Sequence, residues 1–510
     1  MPPSPLAPGE KLHCVSYAPF RGNQSPFDLS TKIERWQIEE DLALLSKVTD
    51  CVRTYSVDFG LEQVPEIARK HGLKVMLGLW VSSHTDRTKL QIDTGVALAK
   101  QYPDVIRAVV VGNEALLRGE ISPHALGELI RGVKSQVSMP VTYADVWEFW
   151  LRHRELSNLT DFVTVHILPY WEDEPIPASH AADHIASIRR KVADAFAGKE
   201  IFLGEVGWPS RGRMREGALP SPANQALVVH DLMTHAKSER FNLNIIEAFE
   251  EPWKRWLEGT VGGYWGLITD VPRQPKFSWG EPVSNHPRWL WQALAGVLFG
   301  GCCFGAAHAA RRRSPPERCR DGWVGWGAVA ITAAVGGALL GWTVEAIWIE
   351  SLGVGGWLRS LAFLLAAVLA PLIGAAALMR RVQVPSFSEV IGPPDIRVRD
   401  NLGRTLGLCL ILLTVLALHA ALGLSFNPRY LDFPFAPLTA ALVPFLLLSV
   451  MSPPAAGRGG VAERVAGAVL VLCAIYVVWN ETLHNWQAVW FGAALGLLAF
   501  TLARARGARS

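Results

Sequence analysis

The 510-residue sequence has no glycine-rich phosphate turn, no paired-cysteine spacing and no basic cluster in its first half. The first β-rich run leads into YAPFRGNQSPFD, which lacks G-x-G-x-x-G, so the usual mark of a dinucleotide-binding open sheet is missing. None of the seven cysteines stands at metal-ligand or C-x-x-C spacing. Only Cys14 and Cys51 lie in the first half, near the starts of adjacent expected strands. They read as two small buried strand residues in preference to a bridge. Up to residue 286 there are 31 basic residues against 36 carboxylates, a mildly acidic balance that excludes a nucleic-acid footprint. Beyond it lysine is absent, and 18 arginines face 10 carboxylates. The opening MPPSPLAPGEKLH is not an apolar export segment. Export of the first half would then use the first apolar span as a reversed anchor or a signal helix upstream of this start; otherwise the domain stays cytoplasmic.

What is present divides near Asn285 to Arg288. Before that point charges are dense and apolar runs short. After it, apolar stretches recur at about 289–310, 323–342, 356–378, 404–424, 435–452, 463–479 and 485–503, each close to the length that crosses a bilayer. The loops 311–322, 379–403 and 453–462 and the tail from 504 hold five, four, one and three arginines, whereas the intervening loops hold only Arg429. By the positive-inside rule the arginine-rich side is cytoplasmic and the first half lies on the opposite face. Polar residues within the spans are few, with Glu345 and Glu350 in one expected short loop and Glu481 in another. This favours anchoring or partner docking over conduction.

The first half alternates β-rich runs with helical patterns. The runs are 13–18, 51–55, 74–80, 106–112, 140–144, 161–167, 201–206 and 243–249. Between them, Ile38, Leu42 and Leu45 make a one-faced helical stripe. Ser122-Pro123 and Ser221-Pro222 combine an N-cap with a first-turn proline, and His71-Gly72 resembles a helix end. Eight such units over about 240 residues fit a (β/α)8 barrel followed by an all-α transmembrane bundle, with domains at 1–286 and 287–510.

Barrel enzymes build their sites at the carboxyl ends of strands. Glu114 follows the apolar run AVVVG-Asn113, and Glu205 ends IFLG. Either glutamate alone would read as an ion-pair partner of a base such as Arg53. As a pair they offer the acid and the nucleophile that cleavage of a glycosidic bond with retention requires. For His166 the favoured role is a packed, hydrogen-bonded one. Aromatic residues gather near the same ends: Tyr17, Phe20, Tyr55, Trp80, Trp147, Trp150, Trp171, Trp208, Trp253 and Trp265. About half would line a groove against sugar rings, Trp171, Trp208 and Trp253 foremost.

The segments VVVGNEALLR, FLGEVGWPS, VTVHILPYW, VRTYSVD and AFEEPWK resemble glycoside hydrolase family 17 over roughly residues 12–280. The resemblance implies Glu114 as acid/base and Glu205 as nucleophile. It also implies Asn113 at the 2-hydroxyl of the sugar being cleaved, Tyr170 against the nucleophile, and Glu251 with Lys254 as accessory residues of the last strand end. Arg53, Tyr55, Trp171, Trp208 and Trp253 join these as expected substrate-binding residues, with no cofactor and no metal. HILPYW and WEFWLRHREL are similar to the bacterial branch, whose membrane-attached members resemble glucosyl-transferring enzymes of β-1,3/β-1,6-glucan synthesis, including the cyclic glucans of rhizobia. The implied partners are a β-glucan chain, the lipid bilayer of a bacterial inner membrane and, as a further candidate, a membrane glucan synthase. The alternatives are a strictly hydrolytic endo-β-1,3-glucanase, an inverting glycosidase and a catalytically idle glucan-binding subunit.

Overall fold

Eight short strands each pair in parallel with their sequence neighbours, and the last closes on the first. This is seen in a computed structural model describing residues 2–315, 317, 319–320, 322–452 and 460–505. The strands are β1 (Cys14–Ser16), β2 (Cys51–Arg53), β3 (Lys74–Leu79), β4 (Ile106–Asn113), β5 (Val141–Val146), β6 (Val163–His166), β7 (Ile201–Val206) and β8 (Leu243–Ile245). Between and after them run α1 (Arg35–Leu45), α2 (Val64–Lys70), α3 (Thr85–Gln101), α4 (Pro123–Lys134), α5 (Trp147–Arg152), α6 (Ala178–Ala195), α7 (Pro222–Glu239) and α8 (Arg255–Glu258).

Local chemistry sets the helix ends. Ser122 accepts from the Ala125 amide and Ser221 from the Asn224 amide, each with proline at the first helical position. The stripe expected on α1 is buried at Ile38, Leu42 and Leu45. Alternation along the strands separates two apolar sets. Val15, Val52, Val75, Val109, Val141, Val163 and Leu203 join the large core that includes the helices. Cys14, Cys51, Met76, Ala108, Val110, Ala144 and Phe202 form a small cluster of their own, the packed interior expected of such a barrel.

One expectation is overturned here. Cys14 and Cys51 form a disulfide, with Cα atoms 4.3 Å apart. The parallel register, Val15 opposite Val52 and Ser16 opposite Arg53, brings the two sulfurs together on the same face. Sequence separation alone does not reveal that register.

The pairing shifts register between Val110 and Asn113 on β4, between Val165 and His166 on β6, and between Leu203 and Val206 on β7. Such irregularities re-aim side chains at barrel rims. All three fall where Asn113, Glu114, His166 and Glu205 sit.

The chain divides into two units, one comprising the residues up to Gly212 with Gly217–Asn285, the other Arg213–Glu216 with His286–Ser510. The second consists of α9 (Trp289–Arg312), α10 (Trp323–Glu350), α11 (Gly353–Met379), the short α12 (Phe387–Ile391), α13 (Asn401–Phe426), α14 (Phe435–Met451), α15 (Val461–Glu481) and α16 (Trp486–Arg504). Six of these helices are long and apolar enough to cross a membrane, and α14, with 17 residues, is shorter. The seven expected spans thus appear as six plus one at the lower limit of length. Helix α10 also runs eight residues past its expected end, so Glu345 and Glu350 lie within it instead of in a loop. Gln292 donates to Glu345 at 2.8 Å, and Glu481, the last residue of α15, is buried. Of the arginines used to orient the spans, Arg318, Arg458, Arg506 and Arg509 lie outside the described residues.

Candidate active site

Glu205 stands on β7 with its carboxylate buried against two partners from β2 and its margin, Arg53 and Tyr55. Arg53 Nη1 donates to Oε1 at 3.2 Å and to the Gly204 carbonyl at 2.7 Å. Arg53 Nη2 reaches Asn113 Oδ1 at 2.5 Å. The Tyr55 hydroxyl lies 2.8 Å from both Glu205 Oε1 and Ser16 Oγ, and Asn244 donates to Ser16 Oγ at 2.7 Å. A side chain at position 204 would not fit: a Cβ there would come within 2.4 Å of Thr164 Cγ2 and 3.1 Å of the His166 ring. Glycine next to the carboxylate lets the imidazole approach it.

Glu114 follows β4 in a left-handed backbone conformation, φ 52°. A non-glycine residue holds that conformation only where its surroundings over-determine it. The Glu114 amide donates to Ala144 O at 2.8 Å, and the Leu116 amide donates to the Tyr143 hydroxyl at 3.0 Å. Tyr143 in turn donates to Asp145, and Arg118 donates to the carbonyls of Asn113 and Val81. Arg118 also lies over the Trp80 ring at 4.2 Å.

His166 joins the two carboxylates. Its Nδ1 is 2.8 Å from Glu114 Oε1 and 3.7 Å from Glu205 Oε2. Its Nε2 faces Arg53 Nη1 at 3.4 Å. A guanidinium can only donate, so this network assigns Nε2 as acceptor and Nδ1–H as donor to Glu114. The packed, hydrogen-bonded role expected for His166 thus falls directly on the carboxylate pair. One donor atom each of Glu114, His166 and Glu205 lies within 4.8 Å of the others. That set could in principle take a metal ion. The fixed guanidinium of Arg53 against two of its three members disfavours a second cation there.

Burial raises the Glu114 carboxyl, but the hydrogen bond from His166 and the charges of Arg118 and Arg53 outweigh it and leave Glu114 below the ordinary glutamate range. Asp145 is pushed up to about 6, by burial first and by the charge of Glu114, against the opposing bond from Tyr143.

A second acidic group lies beyond β8. Glu247 receives Lys254 Nζ at 2.7 Å, and Glu251 receives the Trp253 indole at 2.5 Å. Glu247 Oε1 and Glu251 Oε1 are buried with no hydrogen-bond partner among the described residues. Burial raises both carboxyls, Glu251 well above its usual value, where the charge of Glu247 adds to the effect. Burial also pushes Glu258 up to about 7, with Lys254 opposing and Glu247, Glu114 and Glu205 reinforcing.

The structure therefore brings Arg53, Tyr55, Asn113, Glu114 and Glu205 together, and places Glu251, Trp253 and Lys254 in the neighbouring acidic group. Trp171 and Trp253 are half-buried. Tyr170 is fully buried, edge-on to Trp171, Trp208 and Trp265. Trp208, expected in the groove, is instead core: it is fully buried and its indole donates to the Leu219 carbonyl. A tryptophan beside a motif has no direction in sequence. Ser16, Arg118, Tyr143, Asp145, Asn244, Glu247 and Glu258 join the site without being expected from the sequence motifs. Asp145 and Glu247 were the findable ones, as carboxylates at the ends of β5 and β8 by the rule that selected Glu114.

A closed parallel eight-stranded barrel with paired carboxylates across its mouth defines the class of (β/α)8 carbohydrate-processing enzymes. The barrel belongs to glycoside hydrolase family 17: residues 14–266 match the family model for the BtgE/BtgC glycoside hydrolase domain. A probable β-glucosidase of Aspergillus flavus is 30% identical over 240 residues, 46% of this chain and 39% of that protein. A glucan 1,3-β-glucosidase of Saccharomyces cerevisiae is 25% identical over 45% of this chain and 81% of its own length. Among solved structures, a family 17 β-1,3-glucanosyltransferase from Rhizomucor miehei shares 24% identity over 52% of this chain and 95% of that chain, with a TM-score of 0.45. The chain spans about two fifths of the length of the Aspergillus relative. These relatives are fungal, so the likeness to a bacterial branch rests on the motifs alone.

Proposed function

We propose that this chain is a membrane-anchored, retaining β-glucan-active enzyme that cleaves β-1,3-glucan and passes the glycosyl unit to another glucan. The observation that carries the reading is the approach of a Glu114 oxygen to within 4.8 Å of a Glu205 oxygen. Retaining enzymes hold their two carboxyls roughly 5 to 5.5 Å apart, and inverting ones roughly 6.5 to 9.5 Å, to leave room for water.

In this mechanism Glu205 attacks the anomeric carbon and the glycosidic oxygen leaves with a proton from Glu114. Arg53 and Tyr55 hold one Glu205 oxygen and so aim the other. Glu114 then works as base on the incoming hydroxyl, from water or from a second sugar, and the glycosyl–Glu205 bond breaks. His166, donating to Glu114, favours the carboxylate that this second step needs. Asn113, fixed by Arg53, would meet the 2-hydroxyl. The likeness to a probable β-glucosidase and to a glucan 1,3-β-glucosidase supports a β-1,3-glucan substrate.

The apolar helices support anchoring, and the arginine-rich connections on alternate sides support a catalytic domain on the outer, periplasmic face of a bacterial inner membrane. The Cys14–Cys51 disulfide supports the same side, since such bonds persist in oxidising compartments.

The test is to incubate the purified protein with a linear β-1,3-gluco-oligosaccharide and follow the products by proton NMR and linkage analysis. First-formed β-anomers and products longer than the substrate are expected. An α-anomer first would overturn retention, and shorter products alone would reduce the function to hydrolysis.

A further inference from the structure

We infer that the Cys14–Cys51 disulfide is a positioning element for the nucleophile, a covalent splint across the strand pair that carries the clamp on Glu205. The inference rests on the reading of Glu205 as nucleophile.

The two cysteines stand two residues before Ser16 and Arg53. Side chains two apart on a strand share a face. The disulfide therefore lies one layer below the pair that holds the site: Arg53 binds Glu205 directly, and Ser16 binds the Tyr55 hydroxyl that meets the same carboxylate oxygen. β1 and β2 have three residues each, and their pairing consists of Val15 with Val52 and Ser16 with Arg53. By contrast, β3 and β4 pair along five positions. The strands with the most exacting task thus have a short ladder, and a slip of one residue would turn Arg53 away from the barrel interior. A bond between their first residues fixes that register without relying on the ladder.

Neither sulfur is accessible, since Cys14 and Cys51 are 0% and 1% exposed. The interior layer they share with Met76, Ala108, Val110, Ala144 and Phe202 is apolar and would accept two thiols. Loss of the bond should therefore loosen alignment before it unfolds the barrel.

The experiment uses the full chain in detergent. Alkylation after denaturation without reductant should modify five cysteines, the number left free beside the bridge; seven would overturn the inference at once. The Cys14→Ala, Cys51→Ala variant, assayed well below its own melting temperature, should lose about 10- to 100-fold in kcat on an aryl β-glucoside, the scale of a misplacement on the order of 1 Å. Oligosaccharide binding, measured in a Glu205→Gln background, should change less than about twofold. Should that pair not fold, Cys14→Val with Cys51→Ala refills the space.

A general loss of stability would not single out Tyr55. Removing its hydroxyl by Tyr55→Phe should cost markedly less in the disulfide-free chain than in the native one, because both changes act on the same clamp. Unchanged kcat without the bond, or losses from the two changes that simply multiply, would overturn the splint. The nucleophile reading is tested separately: a Glu205→Gln variant that still turns over would remove that reading itself, whatever the disulfide does.

Discussion

Arg53 and Glu205 meet inside the barrel at 3.2 Å, both almost fully buried, with the guanidinium also holding Asn113 and the Gly204 carbonyl. The geometry is a fork, and lysine would supply one charge but not three aimed donors. Arg53→Lys is expected to fold and to lose about 100-fold in kcat, read from the nitrophenol release of an activated glucoside. Arg53→Ala strands a buried carboxylate and should cost about 3–5 kcal/mol in denaturant unfolding. A lysine variant of native kcat would free Glu205 from dependence on the fork.

The two glutamates should fail differently. Glu205→Gln should abolish activity on every substrate, because an amide does not attack carbon. Glu114→Gln should slow cleavage of natural linkages by about 10²- to 10⁴-fold. It should still form the intermediate from a nitrophenyl glucoside, and added azide should release a β-glycosyl azide, detectable by mass spectrometry. Identical, unrescued losses would leave the assignment of roles without support.

Asp145 gives stability a pH dependence of known sign. A carboxyl raised from 3.8 to about 6 binds more protons folded than unfolded between those values, so stability falls as pH rises through that window. The cost is fully present above about pH 6 and absent below pH 3.8, and amounts to at most about 3 kcal/mol. Asp145→Asn should flatten this segment of a melting-temperature profile between pH 4 and 7. A profile parallel to that of the native protein would contradict it.

Reporter fusions test orientation. With α14 crossing the membrane, the number of spans is odd, and phosphatase inserted after Asn285 of the full chain should be active while the same reporter fused after Arg509 is silent. The reverse pattern would put the barrel in the cytoplasm.

Periodicity and strand-end polarity carry far in this chain. All eight strands appear where the β-rich runs place them, because each run is a short, mostly buried block with at least one valine, leucine or isoleucine between turn signals. Glu114 and Glu205 are legible only as a pair, because one carboxylate at the end of such a block reads as an ion-pair partner, whereas two across a barrel mouth offer an acid and a nucleophile. What is not written locally is anything that depends on register. The Cys14–Cys51 bond, the depth of Trp208 and the Tyr143–Asp145 support of Glu114 all arise from which residues on neighbouring strands stand opposite one another. The length of α10 is hidden for a different reason, since Glu345 within an apolar run reads as a loop until Gln292 is seen to donate a hydrogen bond to it.

Gly204 carries no functional group, yet a saturation-mutagenesis map of β7 should show it as intolerant as the nucleophile beside it. Even alanine would drive its methyl into Thr164 and the imidazole that bridges both carboxylates. Such a map records two kinds of indispensability in adjacent columns, one for a reactive oxygen and one for an empty volume. An activated glucoside and an exogenous nucleophile revive a variant at 114, but no added chemical restores room at 204.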